Sequence, residues 1–330
     1  MLGDRGSLGC LLGLRAPTAC LQEGDGLYRR DQRAEALRRF QSARKLAGDD
    51  LAGIAASWRL LLCALLELDA PGVQRQFDEV FAARLQSIEQ NQWITADWIA
   101  AWITGRCGDT ELADALEQLY PGAGASTAWF LVGERWRSEG NPADAREAYK
   151  RSARLRPPRK EPWAGAWAAE RLQTLPERCP NPSALARELN DAAWIIVKSP
   201  NNGVESYRVA QRWAEASCRL DRENAESFRI LGAAYYRAGA CEQALGALAQ
   251  ACEMRNGKAG SEAPCDLALI SMSLHRLSRG AEAAAALERL QLLLREEKWA
   301  NDADSQGLGA EAEALILGAR TATSQPRAEP

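Results

Sequence analysis

Residues 126–158 read STAWFLVGERWRSEGNPADAREAYKRSARLRPP. Trp129, Gly133 and Trp136 recur at steps of four and three, which puts them on one face of a helix, and Ala145, Tyr149 and Ser152 repeat those steps on a second helix. Between them, Gly140-Asn141-Pro142 ends the first helix and starts the second, with proline in a first turn where its missing N–H costs nothing. Small Gly133 and Ala145 let the two backbones approach while aromatic rings fill the space beside them. The expected product is a helical hairpin.

The same spacing returns from Ala225 as Phe228, Leu231, Gly232, Tyr235, Ala244 and Leu248, with Gly239 at the stop and Asn256 where the first copy has Pro157. Both copies resemble the tetratricopeptide repeat, W-x2-L-G-x2-Y followed by A-x3-F and P. Weaker copies surround them. Ala210, Ala214 and Ser217 mark the second helix of the unit before Ala225, and Leu267, Ile270, Ser271, Leu274, Ala283, Leu287 and Leu290 repeat the pattern after it, with a loop expected at Asn256 to Glu262. Near the N-terminus Ala36, Phe40 and Ala43 look like a second helix, and helices are expected over about Leu51 to Leu68, Val73 to Gln90 and Trp93 to Thr104, where the repeat is degenerate and the pairing is not readable. Pro176, Pro180 and Pro182 exclude continuous helix and mark a boundary.

The expected organisation is all-α, a right-handed superhelical solenoid of tetratricopeptide-like hairpins. Residues 1–16 form a poorly defined N-terminal segment and 17–175 a degenerate subarray whose best repeat is 126–159. Residues 183–318 form a second subarray closed by a capping helix, about Asp304 to Leu317, and 319–330 form a disordered tail.

Composition narrows function. Among 330 residues, 41 basic side chains face 44 acidic ones for a net charge of −3, which argues against a nucleic-acid binder, since phosphate neutralisation needs a clustered basic excess. A single histidine, His275, leaves no pair to hold zinc and at most one triad base. The nine cysteines include no C-x-x-C and read as small buried hydrophobes in a reducing cytoplasm. The apolar run Leu8 to Leu14 is broken by Gly9 and Gly13, unlike a signal peptide, and Leu60 to Leu66 is too short to span a bilayer. No metal, cofactor or membrane partner is expected.

Leu189 to Gly318 is similar to the C-terminal tetratricopeptide region of multidomain proteins of planctomycete-type bacteria, often behind Hanks-type serine/threonine kinase domains. The residues that carry this are Leu189 to Trp194 with Pro200-Asn201, Phe228 to Gly239, Leu267 to Leu277 and Ala310 to Gly318. The resemblance implies a non-catalytic scaffold or regulatory segment that binds a peptide or partner protein, and an association with a kinase domain; kinase motifs themselves are absent from the sequence. The alternatives are a helical-repeat subunit of an enzyme and a non-catalytic region separated from its kinase.

In a stacked array the first helices line the concave surface. The residues one step round from the packing face are Phe130, Glu134 and Arg137, then Arg229, Tyr236 and Arg237, then Met272, His275 and Arg276. These are the candidate partner-binding residues. The last two groups are basic with aromatic or soft side chains, which suits an extended acidic or aromatic peptide; the same arginines also suit a solvated helix face. Phe130, Glu134, Arg229, Ala233, Ala268 and Met272 do not reproduce the Lys and Asn set with which tetratricopeptide domains hold chaperone C-termini.

Overall fold

A computed structural model describes residues 16–155, 163–255 and 263–323 of the chain. It divides into two compact units, Met1–Pro180 and Asn181–Pro330. Every regular element among the described residues is helical.

In the first unit α1 (Ala16–Arg29) pairs with α2 (Arg33–Ala47). Next, α3 (Leu51–Leu66) pairs with a broken second helix built of α4 (Ala70–Gln76), a π-helical turn (Phe77–Phe81) and α5 (Ala82–Ser87). Then α6 (Thr95–Ile103) pairs with α7 (Asp109–Leu119), α8 (Gly124–Ser138) with α9 (Pro142–Arg154), and α10 (Trp163–Thr174) packs on both members of that last hairpin. The second unit holds the hairpins α11 (Pro182–Val197) with α12 (Val204–Leu220), α13 (Ala225–Arg237) with α14 (Cys241–Arg255), and α15 (Pro264–Arg276) with α16 (Gly280–Leu294). A short α17 (Glu297–Ala300) leads to α18 (Ala303–Thr323), which packs on α15 and α16.

One turn recurs through both units. The residue after the first helix takes a left-handed backbone at Asp31, Leu68, Gly105, Gly140, Gly239 and Ser278. In each case its N–H reaches the carbonyl three residues back, and the next N–H reaches the carbonyl five back, as in Gly140 to Arg137 and Asn141 to Trp136. This closes the orphan carbonyls of the helix end with a Schellman pair. Gly140 and Gly239 meet the left-handed requirement without a Cβ penalty. Side chains restart the second helices α9 and α4, where Asn141 accepts from the Asp144 N–H and Asp69 from Gly72, and Asn181 opens the first helix α11 by accepting from Ala184.

Inside the hairpins a glycine on the first helix faces a large residue on the second. A Cβ on Gly232 would lie 2.6 Å from Leu248 Cγ and 3.3 Å from the Ala244 carbonyl. Gly133 meets the Tyr149 ring in the same way, and Gly24 meets Phe40. Tyr149 and Leu248 are fully buried, and burial of such a side chain stabilises by about 1.5–3 kcal/mol. The hairpins are thus tetratricopeptide-like in packing as well as spacing, and α1–α2 belongs with the two strong copies.

Three expectations need correction. The helix expected over Val73 to Gln90 is interrupted by the π turn. Val73, Phe77, Phe81 and Leu85 are all buried, yet steps of four drift by about 40° each around a straight α-helix; the wider turn returns them to one face. Trp93 lies before α6, in extended backbone, and the Asp97 carboxylate instead caps the Ile94 N–H at 2.9 Å. The capping helix expected to end near Leu317 continues to Thr323, and the rest of the expected tail lies outside the described residues. The loop expected at residues 256–262 and most of the N-terminal segment lie outside the described residues. Among those described, no helix is long and apolar enough to cross a membrane.

Candidate protein-interaction grooves

The offset that selected nine partner-binding residues places most of them inside the packing between first helices. Phe130, Glu134, Tyr236 and Met272 are buried, and the Arg237 side chain is 4% exposed. Phe130 packs edge-on against Trp167 with centroids 5.6 Å apart, and the Tyr236 hydroxyl points at Met272 Sδ at 3.4 Å. Arg137, Arg229 and His275 are half-buried, and Arg276 alone of the nine is exposed. The expectation of nine groove-lining side chains is corrected to this extent: the first helices within a unit lean on one another, so one step round from the hairpin face meets the next first helix, not solvent.

Glu134 is the hub of the first unit. Its Oε1 accepts from the Tyr149 hydroxyl at 2.6 Å and Arg171 Nε at 2.9 Å, and its Oε2 accepts from Arg137 Nη2 at 2.9 Å and the Tyr28 hydroxyl at 3.2 Å. Four helices, α1, α8, α9 and α10, therefore meet on one carboxylate with no exposed surface. Burial alone would push the Glu134 carboxyl up, but Arg137, Arg171 and the Tyr149 hydroxyl together hold it below the usual range. Burial and the Glu134 charge push both Tyr28 and Tyr149 up.

In the second unit the basic residues of the first helices are answered from within. Arg237 forks onto Glu311 of α18, with Nη2 to Oε2 at 2.7 Å, and its Nε donates to the Val197 carbonyl at 2.7 Å. Trp194 Nε1 donates to Asp304 at 2.7 Å, and Lys198 lies 3.6 Å from the same carboxylate. Arg229 pairs with Glu226 and stacks over Trp194 at 4.3 Å, while Arg276 lies over the Tyr236 ring at 4.3 Å. The positive potential expected from these arginines is largely spent on the acidic residues of the same unit.

An open groove of about 610 Å3 lies instead in the first unit. Side chains from the first helices line it: Asp25 of α1, Trp58 and Arg59 of α3, Thr95 of α6, Thr127 of α8 and Trp167 of α10. Tyr120, 56% exposed after α7, stands at its edge. Arg59 Nε and Nη2 hold the two Asp25 oxygens at 2.7 and 2.8 Å, Nη1 donates to the Ala55 carbonyl at 3.0 Å, and the guanidinium lies 4.3 Å over Trp58. A notch of about 30 Å3 beside Trp58 and Trp167 is lined by Phe40, Leu62 and Leu131 and also by Tyr28 and the Asp25–Arg59 pair. Cys63 closes it, its thiol pushed up to about 12 by burial and by Glu67. None of these residues is among the partner-binding candidates of the sequence; Phe40 enters there only as a residue of a second helix. No sequence signal marks them, because the left-handed turns at Asp31 and Leu68 that make α1 and α3 first helices are formed there without glycine.

No family model matches the sequence, and no curated protein matches it. Among solved structures, the TPR2AB-domain:pHSP90 complex of yeast Sti1 is 15% identical, with 92% of this chain and 98% of that chain covered at a TM-score of 0.32. The assembly chaperone Acl4 is 14% identical, with 94% and 99% covered at 0.30, and yeast Tom70 is 11% identical, with 94% and 97% covered at 0.22. At these scores the likenesses carry nothing about partners or sites.

Proposed function

We propose that the chain is a non-catalytic protein-interaction scaffold that holds a peptide or partner segment in the groove of its first unit. The observation that carries this is the convergence of five helices, α1, α3, α6, α8 and α10, on one open groove of about 610 Å3, within the size range of ligand-holding clefts. Aromatic rings there offer contact area at low cost in side-chain entropy, the usual composition of binding hot spots. A kinase-bearing partner and a cytoplasmic setting, as the family resemblance implies, are part of this proposal.

The test is affinity capture from source-cell extract with the immobilised chain and with Thr127→Arg, which places a long cation across the groove from a half-buried helix position. Partners retained by the native chain and lost by the variant, with unchanged circular dichroism, are the expected result. Identical partner sets on both, or none on either, would end the groove reading.

A further inference from the structure

We infer that the groove of the first unit selects an uncharged segment bearing an aromatic or aliphatic side chain, not the acidic peptide that the arginine pattern of the sequence suggests. This rests on the scaffold reading above and specifies its ligand.

The groove offers no unsatisfied charge. Asp25 and Arg59 are the charged residues among those lining it, and each satisfies the other through two hydrogen bonds. The remaining Arg59 nitrogen is committed to a backbone carbonyl. A charged side chain entering here would lose water and gain no opposite charge, which is unfavourable in a partly desolvated cleft. An apolar side chain meets the opposite situation. It finds Trp58, Trp167 and Tyr120 around the groove.

The second unit supplies the contrast. There carboxylates of the same unit already answer most of the cations, Glu311 on Arg237, Glu226 on Arg229 and Asp304 beside Lys198, and Arg276 lies over the Tyr236 ring.

The experiment uses the full chain and three fluorescein-labelled peptides of equal length: Phe and Leu spaced by Ser and Gly, and the same sequence with the Ser positions changed to Glu or to Lys. Fluorescence anisotropy should show the neutral peptide bound, with an affinity that changes little from about 50 to about 500 mM salt because no exposed ion pair contributes. The Glu and Lys peptides should bind about tenfold more weakly. Tyr120→Ser, at an exposed edge, should weaken the neutral peptide, and Thr127→Glu should turn the preference toward the Lys peptide, a reversal that loss of folding cannot produce. Tighter binding of the Glu peptide, no binding of any of the three, or neutral-peptide binding untouched by Thr127→Glu would overturn the inference. Partner capture that Thr127→Arg abolishes would still sustain the scaffold reading in each of those cases.

Discussion

Replacing Glu134 with glutamine tests whether one carboxylate holds the first helices of the first unit together. Each carboxylate oxygen accepts from one tyrosine and one arginine: Tyr149 and Arg171 on Oε1, Tyr28 and Arg137 on Oε2. An amide has one acceptor oxygen and one NH2, so whichever way the glutamine is turned, its NH2 faces one of the two arginines. The tyrosine beside that NH2 can rotate and accept; the arginine cannot. Every orientation therefore loses a charge-assisted bond and leaves both cations without their counter-charge. Removing one partner of a buried pair costs about 3–5 kcal/mol, and because Arg171 and Arg137 retain 17% and 28% side-chain exposure, the low end near 3 kcal/mol applies. For a unit of this size that is a fall in Tm of roughly 6–12 °C by thermal circular dichroism. The pH dependence supplies a second readout. The folded carboxyl titrates below its unfolded value, so its contribution is present above the unfolded pKa and is lost as pH falls through the folded one. The gap between native chain and variant should accordingly be full near neutrality and shrink once pH drops below about 4.5. A Tm within about 2 °C of the native chain at neutral pH, or a gap that stays constant into acid, would refute the role of Glu134 as a charged hub.

Three further outcomes are expected. Gly232→Leu should destabilise by about 2 kcal/mol or more in urea denaturation, because the added side chain meets Leu248 and the Ala244 carbonyl. Arg237→Glu should cost about 3–5 kcal/mol, since it opposes Glu311 in a site where the Arg237 side chain is 4% exposed; Glu311→Lys in the same chain should recover part of the loss. Brief trypsin treatment should cut first after Arg178, exposed in the non-helical stretch before α11, and mass spectrometry should find a fragment beginning at Cys179 that stays helical.

Where the repeat was legible, two local demands coincided with residues that advertise them. Gly140 and Gly239 occupy left-handed turns, and Gly133 and Gly232 occupy close approaches. Where it was illegible, the geometry persists without the residue. Asp31, Leu68 and Ser278 adopt the same left-handed backbone and close the same pair of carbonyls as the glycines do. A left-handed leucine is locally unfavourable, and it is carried here by the helices on either side, α3 and α4, which bury Leu60 to Leu66, Ala70 and Val73. In the first hairpin Gly24 meets Phe40 as Gly133 meets Tyr149, but Cys20 stands where an aromatic would have marked the helix. Local patterns are therefore readable only where the backbone demand is not already met by packing.

The site was less legible than the fold because its chemistry is decided by pairs remote in sequence. Arg237 and Glu311 are separated by 74 positions, Trp194 and Asp304 by 110, Tyr28 and Glu134 by 106. Helix offset identifies which side chains leave the hairpin face but not what arrives opposite them, and in both units what arrives is another helix of the same unit. Counting arginines along the first helices thus finds the cations of the second unit and misses the carboxylates of α18 that consume them. The same counting passes over Asp25 and Arg59, whose mutual pairing makes the first-unit groove neutral. Charge that is paired inside a unit contributes to its stability and little to its attraction for ligands, so ligand preference in this chain follows from the uncharged surface around such pairs, which in the first unit Trp58, Tyr120 and Trp167 supply.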